Sequence, residues 1–213
     1  MEQEIEIINT NTKIERVTIF FKNNKKSIIS IIFLILLSIF AYFYYKEILK
    51  KEKIKLADRY NNVLTVLNDN NKLAIEELKQ IILAKDETYS PLALYYLIDN
   101  SLVKSKNEIN EYFDIIIKET KLEKEIKNLI IYKKALYNSE FETEENLIQI
   151  LNPIINSESV WKSHALLLMA EYYYSKGEKE KSKEFFQNIL NLKNKNQMIL
   201  VEAQKRIQRD FSE

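Results

Sequence analysis

Residues 27–45, SIISIIFLILLSIFAYFYY, are nineteen consecutive residues without a charge. At a rise of about 1.5 Å per residue, a helix of that length spans roughly 28 Å, close to the roughly 30 Å of a bilayer's hydrocarbon core. The run closes on Tyr42, Phe43, Tyr44 and Tyr45, the residue types that gather at a membrane interface. Lys25 and Lys26 bound it on one side and Lys46 on the other. A buried core helix is the plainer alternative. A cleaved signal peptide is the other, but the apolar stretch is too long, starts late and is followed by no small-x-small site. The run is therefore expected to be an uncleaved transmembrane anchor. It divides the chain into a short N-terminal tail (1–26), the anchor (27–45) and a folded domain (46–213).

Charge does not orient this anchor. Within about fifteen residues of each end, five Lys/Arg precede the run and six follow it. A short tail before a long C-terminal domain makes a cytoplasmic N-terminus the commoner arrangement. Residues 46–213 carry 27 Lys/Arg and 27 Asp/Glu, a net charge of zero. That balance argues against nucleic acid as a partner, since such binding needs a basic footprint.

The folded part is expected to be all-α. The chain has one Gly and two Pro, against usual shares of about 7% and about 5%, and sheets lean on these residues at their turns. Apolar residues recur at three and four throughout. Ile48, Leu49, Ile54, Leu56, Tyr60, Val63, Leu64 and Leu67 carry the anchor helix onward until Asn68–Asn71 break it. Leu73, Ile75, Leu78, Ile81 and Ile82 give the next helix. Further helices are expected at 91–103, 107–119, 123–138, 143–155, 160–176, 178–192 and 196–210. Ser90 is the expected N-cap before Pro91, and the cap at Thr143 opens another helix. Gly177 stands where positive φ is wanted after a helix end.

Helix pairs of this size invite a test for a period near 34 residues. HALLLMAEYYYSKGEKEKSKEFFQNIL, residues 164–190, resembles a tetratricopeptide repeat. Leu166, Met169, Ala170 and Tyr173 match its first helix, Gly177 its turn, and Ser182, Phe186 and Ile189 its second helix. Asn194 stands where the repeat's terminal Pro would be. Degenerate copies precede it: Ile98, Ala135 and Ala170 are spaced 37 and 35 apart, and Phe113, Leu151 and Phe186 are spaced 38 and 35. The fold class is thus one transmembrane helix followed by a tetratricopeptide-like superhelix of helical hairpins.

The order of parts, with TIFFKNNKKSII before the anchor and YSPLALYYL and LMAEYYYSKGEKEKSKEFF after it, resembles the YfgM-type family. Those proteins are ancillary subunits of the SecYEG translocon in Gram-negative inner membranes. The resemblance implies a single-pass inner-membrane protein with a cytoplasmic N-terminus and a periplasmic repeat domain. It also implies association with the translocon and periplasmic chaperones, linking them to emerging proteins. It carries over no catalytic residues. A scaffold for another cell-envelope assembly process and a cytoplasm-facing adaptor are the alternatives.

Composition leaves little room for catalysis. There is no Cys for thiolate chemistry or metal ligation, and one Gly cannot build a P-loop or a dinucleotide fingerprint. His164 is the only His, so no multi-His metal site exists, and nothing marks a nucleophile beside it. Acid pairs such as Glu144 with Glu145, or Asp99 with Glu108, are unavoidable with 31 acids. No enzyme activity, cofactor, metal or small-molecule substrate is expected. The partners expected are proteins, bound in a groove lined by first helices. The repeat phase places Tyr95, Asp99, Tyr132, His164, Glu171 and Tyr174 there. Aromatics with scattered polar groups suit an extended peptide or partner helix, although the same tyrosines could simply pack. Tyr172, Tyr173 and Tyr174 cannot all face one way, so at least one is core.

Overall fold

In the computed structural model the described residues, 15–16, 18–66, 72–193 and 196–211, form helices joined by short turns, with no strand among them. The Asn68–Asn71 break, the Asn194 position and most of the N-terminal tail lie outside the described residues. The chain divides into two compact units, Met1–Lys55 and Leu56–Glu213.

Helix α1 is Lys25–Val66. Its apolar run is long and apolar enough to cross a membrane. Nothing among the described residues covers that run: Phe33 is 63% exposed and Phe40 73%.

The second unit is a consecutive helical array, comprising α2 (Lys72–Leu83), α3 (Tyr89–Asp99), α4 (Lys106–Glu119), α5 (Lys124–Asn138), α6 (Glu144–Ile155), α7 (Lys162–Ser175), α8 (Lys179–Leu190) and α9 (Gln197–Asp210). Turns this short make successive helices neighbours. Each helix from α2 to α9 packs on the next, and α2 also touches α4, α5 touches α7, and α7 touches α9. Leu56 and Val63 join the α2–α4 core with Leu78, Ile81, Leu94 and Phe113. The middle core gathers Ala135, Leu147, Leu151, Met169 and Tyr173. Leu166, Ala170, Phe186, Ile189 and Ala203 close the C-terminal end.

Local chemistry sets the helix ends. Thr143 caps α6, its Oγ1 accepting from the Asn146 N–H. Gly177 has φ +78, and around it Glu178 N–H donates to Tyr173 O (2.9 Å) and Gly177 N–H to Tyr174 O (3.0 Å). These are the two bonds of a Schellman closure. Ser90 does not cap α3. The helix opens two residues earlier than its sequence position suggests, because the Asp86 carboxylate accepts from Thr88 N–H (2.8 Å) and Tyr89 N–H (2.7 Å). Ser90 is instead buried in the first turn, donating to Ile81 O and accepting from Asp86 N–H, both at 2.9 Å. Pro91 still falls among the first four residues, whose N–H groups have no partner within the helix.

Helix α3 also ends four residues before the expected 103. Ser101 has φ +54; its N–H donates to Ile98 O and the Leu102 N–H to Leu97 O, both at 2.9 Å. This is the same closure with serine in the left-handed position that glycine usually takes.

Candidate functional site

Tyr95 and Asp99 project from α3. Tyr95 is half-buried and Asp99 exposed. They share a cleft of about 220 Å³ with Ile98, Phe113, Lys133, Leu136 and Tyr137. Lys133 Nζ lies 5.8 Å from the Tyr95 ring centroid. The Tyr95 hydroxyl is buried without a hydrogen-bond partner, and burial pushes its pKa up to about 12. Pockets for whole small molecules run to roughly 300–1,000 Å³. This cleft is smaller and suits a single side chain.

Tyr132 projects from α5 and stacks on Trp161, with ring centroids 5.9 Å apart and an interplanar angle of 20°. His164, in the first turn of α7, meets the Tyr132 ring edge-on at 5.9 Å and Trp161 at 5.0 Å. Burial lowers the His164 pKa, so the imidazole stays neutral at neutral pH and packs as a ring. Burial also raises the Tyr132 pKa.

Glu171 and Tyr174, later on α7, meet the C-terminal helix. Arg206 of α9 pairs with Glu171 at 2.8 Å, and its guanidinium lies 4.6 Å from the Tyr174 ring centroid. Phe211 touches the same tyrosine at 5.9 Å. Glu171 also borders a second cleft of about 240 Å³, with Leu168 and Tyr172 beside it.

The six residues therefore do not converge on one point. They lie in three places along a row, each where an odd-numbered helix meets the next odd-numbered one. Tyr95 meets Lys133 between α3 and α5, Tyr132 meets Trp161 and His164 between α5 and α7, and Glu171 and Tyr174 meet Arg206 and Phe211 between α7 and α9. Sequence spacing located both sides of the α5–α7 junction, with Tyr132 and His164, and one side of the other two. It missed Lys133 of α5, Arg206 of α9 and Phe211 just beyond α9. The i, i+4 pair of Arg206 with Asp210 was the available hint for α9. In the tyrosine triplet, Tyr172 (8% exposed) and Tyr173 (2%) are core, while Tyr174 is half-buried.

Among the described residues, no three His, Cys, Asp or Glu side chains are placed to hold a metal ion. What the arrangement offers chemically is adhesion: small clefts, aromatic faces and separate charged groups. Among the described residues, the class it defines is an all-helical protein with one apolar helix fit to cross a membrane and a C-terminal helical array. Compared with known proteins, the chain matches no family model, no curated protein and no solved structure.

Proposed function

We propose that the protein is a membrane-anchored interaction module of the YfgM type: an ancillary translocon-associated factor of the inner membrane, linking emerging proteins to periplasmic chaperones. In this reading α1 is the single-pass anchor, and the helical array is a tetratricopeptide-like superhelix facing the periplasm. Anchoring confines the array to the membrane surface and raises its effective concentration near chains emerging there.

The observation that carries the reading is the row of junctions between α3, α5, α7 and α9, each presenting aromatic and polar side chains. The repeat-like phase has support of its own. Ser182, at the second-helix small position, donates to the Ala170 carbonyl at 2.8 Å, so that α7 and α8 approach closely with both residues fully buried. Small clefts strung along a row suit successive side chains of an extended peptide better than a single compact ligand.

Affinity purification of the full chain in mild detergent, followed by mass spectrometry, tests the proposal. Enrichment of translocon subunits and periplasmic chaperones is expected. Enrichment of a different envelope-assembly complex without them would overturn the translocon assignment. A reporter fused to the C-terminus should be active only in its periplasmic form; cytoplasmic activity would invert the anchor.

A further inference from the structure

The apolar run of α1 is bounded by two lysine pairs. Lys22 and Lys26 precede it, and Lys46 and Lys50 follow it. Lys46 and Lys50 lie within α1 at i, i+4 spacing, which puts both ammonium groups on one helix face. Lys22 and Lys26 have the same spacing across a turn at Asn24, through which i→i−4 bonds continue, Asn24 N–H to Phe20 O at 3.0 Å and Ile28 N–H to Asn24 O at 2.9 Å. All four side chains are exposed. Like charges at this spacing oppose helix formation. Among the described residues none of the four is held in an ion pair; the nearby Glu47 pairs with Lys51 at 4.0 Å instead. Lys46 also folds back toward the aromatic end of the run, its Nζ 5.1 Å from the Tyr42 ring centroid.

The spacing between the pairs is informative. Lys26 and Lys46 are twenty positions apart, roughly 30 Å along a helix axis, the thickness of the hydrocarbon core. The headgroup layers outside that core are each about 5–7 Å deep. Lys22 and Lys50 lie one turn farther out, about 6 Å along the axis. Each pair therefore falls within one headgroup layer, where a phosphate anion between two ammonium groups turns their mutual repulsion into shared attraction.

We propose that these pairs are binding sites for anionic phospholipid headgroups, one in each leaflet. The inference rests on the anchor reading above. It adds that the anchor selects anionic over zwitterionic lipid, because only a lipid with net negative charge neutralises the pair.

The test uses the full chain in nanodiscs of mixed phosphatidylglycerol and phosphatidylcholine, with retained lipids identified by native mass spectrometry. Wild-type protein is expected to retain phosphatidylglycerol preferentially. Lys22→Gln/Lys26→Gln and Lys46→Gln/Lys50→Gln should each lose that preference at one flank, by about fivefold for every lysine removed. The matching Lys→Arg variants should keep it, and excess inorganic phosphate should not compete. Unchanged retention in both glutamine variants, or displacement by free phosphate, would overturn the proposal. Loss in only one variant would overturn the site at the other flank. Alkaline carbonate extraction of the same variants keeps the two readings apart. Release of the wild-type chain overturns the anchor and this proposal together, whereas an embedded chain without lipid preference overturns this proposal alone.

Discussion

Ala170→Glu places a carboxyl group in the core shared by α7, α8 and α9. Ala170 is fully buried, and its companions there, Leu166, Phe186, Ile189 and Ala203, carry no charge. The new side chain must be protonated or force the helices apart. Holding a carboxyl neutral at pH 7, against an ordinary pKa of about 4.3, costs about 4 kcal/mol at 1.36 kcal/mol per unit. Crowding a packed helix crossing adds about 1–3 kcal/mol. The sum rivals the roughly 5–15 kcal/mol stability of a whole domain. The sign of its pH dependence follows. Burial raises the folded-state pKa of this acid, so the penalty grows as pH rises above the unfolded value and shrinks toward it. At pH 5 the protonation part falls to about 1 kcal/mol. Urea unfolding of a fragment beginning at residue 46, followed by circular dichroism at both pH values, measures this. An unchanged midpoint at pH 7 would refute the placement of Ala170 between helices. A loss equal at pH 5 and pH 7 would refute the ionisation argument and leave crowding alone.

Three further outcomes are expected. Tyr95→Ala, Tyr132→Ala and Tyr174→Ala, singly and together, should reduce partner recovery by tenfold or more if these side chains anchor a ligand. Because Tyr132 stacks on Trp161, its variant should also lower the melting temperature, and normal melting with normal recovery would place the binding surface elsewhere. Ser101→Gly should stabilise the fragment by about 0.5–1 kcal/mol, since relief of a left-handed backbone outweighs glycine's extra unfolded-state freedom; a lower unfolding midpoint would count against it. Glu108 accepts from Tyr112 Oη at 2.8 Å and pairs with Lys79 at 2.7 Å, and the hydrogen bond from Lys79, foremost, holds its pKa below the usual range. Its stabilisation is present above the unfolded carboxylate pKa and fades as pH falls through the folded value. Glu108→Gln should therefore lower the unfolding midpoint at pH 7 and lower it less as pH falls below the unfolded carboxylate value; a loss independent of pH would exclude the ionic contribution.

Helix existence was legible in the sequence because apolar spacing and burial are the same fact seen twice. Leu78, Ile81 and Ile82 recur at three and four and are all fully buried. Leu73, in the same pattern, is 82% exposed, because Ala74 takes the inward position at the start of α2. Helix ends were legible where the usual residue performs the usual task, as at Thr143 and Gly177. They were obscured where Lys85 and Ser101 adopt positive φ, since nothing in such side chains announces a left-handed turn. The candidate row was half legible. A period near 35 marks both sides of the middle junction, Tyr132 and His164, but only Tyr95 and Asp99 at the first and Glu171 and Tyr174 at the last, where the residues across lie off the repeat phase. Only the structure brings Lys133 to Tyr95 or Arg206 to Glu171.

Arg206 gives the array an order of disassembly. Among the described residues α9 contributes one fully buried side chain, Ala203, whereas α7 contributes Leu166, Met169, Ala170 and Tyr173 among others. Its partly buried Ile199 and Ile207, with Phe211 just beyond it, pack on the same core. The ion pair that ties it to α7 is Arg206 with Glu171, whose partner guanidinium, 12% exposed, also covers the rings of Tyr174 and Phe186. In a linear array each element is secured only by its neighbours, so the least embedded end opens first. Amide exchange should therefore run as a gradient inward from α9. Raised salt, which weakens ion pairs but not packed methyl groups, should quicken the peeling of that last helix while the interior keeps its own slower clock.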